Sequence, residues 1–371
     1  HLCEFLGSMG KKAAVVVLTL LACLAALELG LRAIGRSPTN MADGIGDQWG
    51  DSFRLKKNIT KVMKFPAFTY TVHTNAFGFR DRAVGPRDLE GRPFCVFLGA
   101  SDVFGNGVDF EDSFVGVFAT EAEKRDLAVL NLAVGGHFFL DQEALLKDFM
   151  ANTGLAPKTI FHCVNALHIP KFDRRNSHVI VKSGYVIDRA GWRVAYLRLM
   201  AGNISSAFCF FRDGIRRFQE RFLDYEVGEK SPEFLQIYDT GNKIRQHDRQ
   251  AQFNAYLNGF EEFCRERGIE LVYVYMPLSD SFKLADMVKQ LGQDPGRYDA
   301  AFYEEIVRSH CDASGIRLIN PRPALERRYE EGRELRFKLD PHFNAFANGI
   351  IGEHLVREFF ADPGPGGAGR Q

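Results

Sequence analysis

No two of the seven cysteines stand in a CxxC spacing, so the chain carries neither a zinc-ribbon nor a thioredoxin-type signal. Cys95 and Cys163 fall inside apolar runs and read as small core residues. Cys264 and Cys311 are a candidate pair only in an oxidising compartment. Net charge is also lacking: 47 basic residues balance 47 acidic ones, which argues against a nucleic-acid partner. His137, His162 and His168 lie near one another's loops without a metal-ligand spacing, so they read as core or rim residues, and no metal or cofactor is implied. Long uncharged apolar runs are missing everywhere except at one end.

That end is the N-terminus. Lys11 and Lys12 precede a stretch from Ala13 to Leu27 without a charge, and Glu28 and Arg32 follow one helical turn apart, placed to pair where a helix leaves lipid. Residues 13–34 make about 33 Å of helix, enough to cross a bilayer. The two lysines predict residues 1–12 on the cytoplasmic side and everything after the helix outside, in a periplasmic or extracellular space. Leu27–Leu31 is too apolar for the start of a mature secreted chain, which argues against a cleaved signal. Acylation of Cys23 in Leu20-Leu21-Ala22-Cys23 is the competing way to anchor the same segment. Met9 reads as a natural start, with residues 1–8 upstream of it.

Beyond the anchor, residues 35–64 are polar and read as a linker. From 65 to 361 short apolar runs alternate with helical patterns, the signature of a parallel sheet covered on both faces. Phe94–Leu98, Leu127–Val134, Thr159–Val164, Ile269–Met276 and Ile316–Ile319 are the predicted strands. Ser113 is placed to cap the helix after the first, and a last helix is predicted from about Asp340 to Phe360. Residues 171–245 interrupt the pattern with an aromatic, basic stretch, "GWRVAYLRLMAGNISSAFCFFRDGIRRFQERF". It reads either as a membrane-lying or gating cap or, with basic and apolar positions poorly segregated, as helices packed on the sheet with solvated arginines; the second is the expectation. The tail, 362–371, is too rich in glycine and proline to fold.

In open parallel sheets functional groups gather beyond the carboxyl ends of the strands. Ser101 stands there, three residues after Leu98 in "FLGASDVFGNGV". A serine nucleophile needs a histidine base, an orienting carboxylate and donors for the developing oxyanion. "LDPHFNAFANG" supplies Asp340 and His342, two apart and so on one side of an extended segment. "VLNLAVGGHF" places Gly135 and Gly136 past the second strand, where a backbone N–H can approach a ligand, and Asn165 ends the third. Each residue has a plainer role open to it: Ser101 or Asp340 as a helix cap, His342 as a packed surface residue. The case rests on the set occurring in this order.

These blocks resemble those of the SGNH hydrolases, the GDSL esterase family, from Thr74 to about Phe360. Gly99-Ala100-Ser101-Asp102-Val103-Phe104-Gly105 is similar to the first block, Gly-Asp-Ser-x-x-x-Gly. Asn131 and Gly136 match the second, Asn165 the third, and Asp340-Pro341-His342-Phe343-Asn344 with Gly349 the last. "TNAFGFRD" resembles the lead-in of membrane-anchored members. The resemblance implies a flavodoxin-like three-layer α/β/α sandwich with a mainly parallel sheet. It also implies Ser101 as nucleophile, His342 as base and Asp340 as its orienter, with an oxyanion hole from Ser101, Gly136 and Asn165. Ala100 and Ala166 stand where the blocks carry aspartates, and Ala133 and Cys163 where they carry glycines, which implies a reshaped or weakened pocket. The expectation is a membrane-anchored serine esterase acting on acyl esters, O-acetyl above all, of an envelope polysaccharide. The alternatives are an O-acyltransferase with the same triad and a non-catalytic, glycan- or partner-binding member.

Overall fold

A computed structural model defines residues 2–36, 38, 44–65, 67–222, 232–240, 243–338 and 340–361. The first helix, α1, spans Leu2–Ala33. Two antiparallel ladders follow: β1 (Gly46–Trp49) with β2 (Ser52–Leu55), and β3 (Thr60–Lys64) with β4 (Thr69–His73). Next come β5 (Phe94–Leu98), α2 (Ser101–Phe104), α3 (Phe114–Glu123), β6 (Ala128–Asn131), α4 (Phe139–Thr153) and β7 (Thr159–Asn165). A hairpin, β8 (Val179–Lys182) and β9 (Tyr185–Asp188), precedes α5 (Trp192–Ile204), α6 (Ser206–Phe222), α7 (Pro232–Tyr238) and α8 (Lys243–Arg265). After β10 (Glu270–Met276) come α9 (Leu284–Gln290), α10 (Phe302–Ser314), β11 (Arg317–Ile319) and α11 (Arg322–Glu330). A short hairpin, β12 (Arg336–Phe337) and β13 (Asp340–Phe343), leads into α12 (Ala345–Phe360).

The chain divides into two compact units: residues 1–43 with 191–225, and 44–190 with 226–371. The second unit holds a parallel sheet of order β11-β10-β7-β5-β6. Counted along the chain from β6, that order is 2-1-3-4-5, the flavodoxin-like winding, and its switch point lies between β5 and β7. Buried on both sides, β5 and β7 have no exposed position, which is why they read as continuous apolar runs. Successive side chains point to opposite faces. Phe97 stacks on Phe161 at 4.5 Å, and both meet Phe118 of α3, while Phe161 also meets Phe359 of α12. The next residue, His162, lies on the other face against Phe139 of α4 and Phe260 of α8. The three-layer sandwich is thus the one expected.

Three expectations change. Within 35–64, expected as a linker, β1, β2 and β3 form ladders, and Phe53, Leu55 and Met63 enter the core. The 171–245 interruption is not one insertion packed on the sheet. Its hairpin and α7 belong to the sheet unit, whereas α5 and α6 form a unit with α1. The reason is a stripe on α6, Phe208, Phe211, Ile215 and Phe218, which the basic residues between them conceal in a linear reading. Cys264 and Cys311 are buried free thiols, not a disulfide. The glycine-rich tail lies outside the described residues.

Candidate active site

Strand register builds the site before any side chain is considered. Leu98 on β5 pairs with His162 on β7, so Ser101 and Asn165, each three residues further, leave the sheet level with one another. On the other side Phe97 pairs with Asn131, which brings Gly135 level with Ser101 four residues on. A Cβ on Gly135 would lie 3.9 Å from that of Ser101. Adjacent strands lie about 4.8 Å apart. Ser101, Asn165 and the Gly135–Gly136 turn therefore lie side by side beyond the carboxyl ends of β5, β7 and β6. Gly136, at φ +86°, needs the left-handed conformation. Its own Cβ position points at Phe53 instead, so Gly135 is the glycine bordering the serine.

Ser101 opens α2 after a sharp turn. Ala100 sits at φ −110°, ψ −142°, and a side chain on Gly99 would collide with Val103 at 2.1 Å. Asn131 clamps this turn by donating from Nδ2 to the Val103 carbonyl while its Oδ1 accepts from Ala133 N–H. Arg80 holds the other end of α2. It is fully buried between the Tyr70 and Phe104 rings and donates to the carbonyls of Phe104, Gly105 and Val108 at 2.5, 2.6 and 2.5 Å. Burial drops its guanidinium to about 10. Three backbone acceptors facing one cation fix where α2 ends.

The candidate base comes from the last hairpin. His342 Nδ1 lies 2.5 Å from Asp340 Oδ1, which also accepts from the His342 backbone N–H at 2.9 Å. A carboxylate only accepts, so the proton sits on Nδ1 and Nε2 carries the lone pair. β13 packs beside α2, bringing the pair to the serine's helix. Ser279 donates to the Pro341 carbonyl, and the buried Arg336–Asp280 pair, at 3.0 Å, holds the hairpin's other strand. Asn344 caps α12 by accepting from Ala347 N–H. The Ser101 hydroxyl is not hydrogen-bonded to His342, and it has no partner among the described residues. Asn165 accepts from His168 N–H through Oδ1, and its Nδ2 has no acceptor among the described residues, so it is available as a donor.

Two neighbours escaped the sequence reading. Asn106 brings Nδ2 within 3.2 Å of His342 Nδ1, and its Oδ1 accepts from Tyr70 at 2.6 Å. Its position between Gly105 and Gly107 was the available signal. The second is Asp102. Burial raises its carboxyl above the ordinary range, His342 pulls it back and the Asp340 charge adds to the rise. For His342, burial pushes the imidazole down, but the Asp340 hydrogen bond and the charges of Asp102 and Asp340 leave it raised overall. Where the resembled blocks carry aspartates, this chain buries Ala100 and Ala166, the latter with no exposure, so a carboxylate there would be fully desolvated. His137, His162 and His168 are buried core residues; burial lowers His162 to about 3 and His168 to about 4.

Among solved structures the chain is similar to a member of the lipolytic protein G-D-S-L family from Veillonella parvula, at 9% identity and TM-score 0.38, over 72% of this chain and 97% of that one. It is similar to the acetylxylan esterase Axe2 from Geobacillus stearothermophilus at 10% identity and TM-score 0.39, over 72% and 94%. A third, the acetyl xylan esterase AlAXEase, matches at 10% identity and TM-score 0.39, over 71% and 98%. No protein-family model matches the sequence, and no curated protein does. These likenesses concern the fold; the chemistry rests on the chain's own residues.

Proposed function

We propose that this chain is a serine esterase of the SGNH type, with Ser101 as nucleophile, His342 as general base and Asp340 orienting the imidazole. The observation that carries the reading is the 2.5 Å Asp340–His342 contact on a hairpin packed beside the helix that Ser101 opens. In the reaction His342 Nε2 takes the hydroxyl proton as Oγ attacks the ester carbonyl, then delivers it to the leaving alkoxide; water repeats the cycle on the acyl-enzyme. Backbone N–H groups at Ser101 and the Gly135–Gly136 turn, with Asn165 Nδ2, would receive the oxyanion. Loss of one such donor costs about 10²–10³ in rate.

The substrate follows from placement. α1 has an apolar window long enough to cross a bilayer, Lys12–Ala33. With Lys11 and Lys12 on the cytoplasmic side, the sheet unit works outside the membrane, where ester-linked acyl groups on an envelope polysaccharide are the accessible class, acetyl esters first. A non-catalytic reading has one observation on its side, the missing hydroxyl–imidazole hydrogen bond. Full-length protein in detergent decides between them. A fluorophosphonate probe should label the wild type at Ser101, and Ser101→Ala should lose both the label and p-nitrophenyl acetate turnover. An unlabelled wild type with turnover unchanged in the variant would sink the esterase.

A further inference from the structure

The unit formed by α1, α5 and α6 inverts the usual arrangement of side chains. Val194 and Leu197 of α5, Ile204 at its end, and Phe210, Phe211, Ile215 and Phe218 of α6 are all exposed large apolar residues. On α6, Phe208, Phe211, Ile215 and Phe218 recur at intervals of three, four and three, within roughly 80° of the helical wheel. The two helices bend by 111° across Ser205, and their combined length and hydropathy are those of a broken or re-entrant span.

The bend is where the argument turns. A break between helices exposes the carbonyls ending one and the N–H groups starting the next, and neither can be left unmet away from water. Here both are met from α1. Glu28 accepts from the Ser206 and Ala207 N–H groups at 3.0 and 2.8 Å and from the Ser205 hydroxyl at 3.0 Å. Arg32 donates to the Ile204 carbonyl at 2.6 Å and to Glu28 at 2.7 Å. The two charges are thus a joint between three helices. Beside them Leu24 of α1 and Phe208 and Phe211 of α6 line one groove, so the α6 stripe continues from the apolar wall of α1.

We propose that the α5–α6 elbow is a second membrane-engaging element, with the Phe208–Phe211–Ile215–Phe218 stripe of α6 seated in the acyl-chain edge of the bilayer that receives α1. Three observations select lipid as the occupant: the stripe's continuity with α1, the helix ends satisfied without water, and an apolar face on a helix whose other side is charged. The inference does not depend on the esterase reading.

The test uses full-length protein in phosphatidylcholine–phosphatidylglycerol vesicles. Trp49 and Trp192 are replaced by phenylalanine and one reporter is introduced, Phe211→Trp or, independently, Ile215→Trp. Leu20→Trp in α1 serves as reference. Brominated acyl chains should quench the α6 reporters by at least a third, with aqueous iodide quenching them weakly. Iodide quenching without bromine quenching would place the stripe in water and overturn the proposal. Protection from both would assign the stripe to a second protein surface and overturn it equally. Quenching at Leu20→Trp with none at either α6 position would leave α1 as an anchor and refute the elbow.

Discussion

The two units of this chain use the same materials in opposite senses. In the sheet unit, phenylalanines such as Phe97, Phe118 and Phe161 are fully buried and the Asp340–His342 pair of the candidate site is half-buried. In the helical unit, phenylalanines 210, 211 and 218 point outward, while Glu28 and Arg32 meet in the joint of three helices. A carboxylate is the hub in both. Asp340 holds a ring that in the proposed mechanism takes up and gives up a proton; Glu28 holds backbone N–H groups that do not. Substitution should therefore have different readouts in the two units: rate and its pH dependence in one, local helix order in the other.

The largest effect expected is from Asp340→Asn. The amide keeps the shape but can donate to Nδ1, which allows the wrong tautomer, and turnover should fall about 10³–10⁴-fold with the fold intact. A fall below tenfold, measured as kcat/KM on an activated acetyl ester, would show that Asp340 does not orient the base. Next is Arg80→Met, which strands the carbonyls of Phe104, Gly105 and Val108 in the core. Unmet buried acceptors cost about 1–3 kcal/mol, and a denaturant melt of the sheet unit should show a loss of about that size, with reactivity at Ser101 reduced as α2 loosens. An unchanged melt would mean that the carbonyls find water.

Much of this was legible in advance, for physical reasons. β5 was placed at Phe94–Leu98 and found there, because a strand buried on both faces has no polar interruption to blur its ends. The Asp340–His342 contact could be anticipated because residues two apart on a strand share a side, a purely local rule. Arg80, Asn106 and Asp102 were not assigned roles, since the pairings Arg80–Phe104, Asn106–His342 and Asp102–His342 join residues 24, 236 and 240 positions apart and are set by tertiary packing. The α6 stripe was missed because intervening arginines hide a period of 3.6 from a linear count. The expected linker failed as a linker because β1 and β2 find their neighbour in β8, far along the chain.

On the helical side, Glu28→Ala removes three hydrogen bonds at the start of α6. Loss of such a cap typically costs about 0.5–2 kcal/mol. Hydrogen exchange at Ser206 and Ala207 should quicken about 2- to 30-fold, while exchange in β5 and turnover stay unchanged. A change in turnover equal to that of a site variant would break the division between the units.

The smallest effect is the most discriminating. In the proposed role of general base His342 must be neutral, so the acid limb of the rate profile should follow its own titration. That titration is raised overall: burial lowers it, but the Asp340 hydrogen bond and the charges of Asp102 and Asp340 lift it further. Asp102→Asn removes one of the lifting charges and keeps the side chain's shape. The limb of kcat/KM should then move to lower pH, with the plateau rate little altered. The shift is bounded because burial raises Asp102's own carboxyl, which disfavours the very charge that lifts His342. Glu28→Gln supplies the control from the other unit, since its partners do not titrate and the limb should stay in place. A limb that moves with Glu28 and not with Asp102 would reverse the comparison, making the helical joint the proton-linked device and the carboxylate beside Ser101 a packing residue.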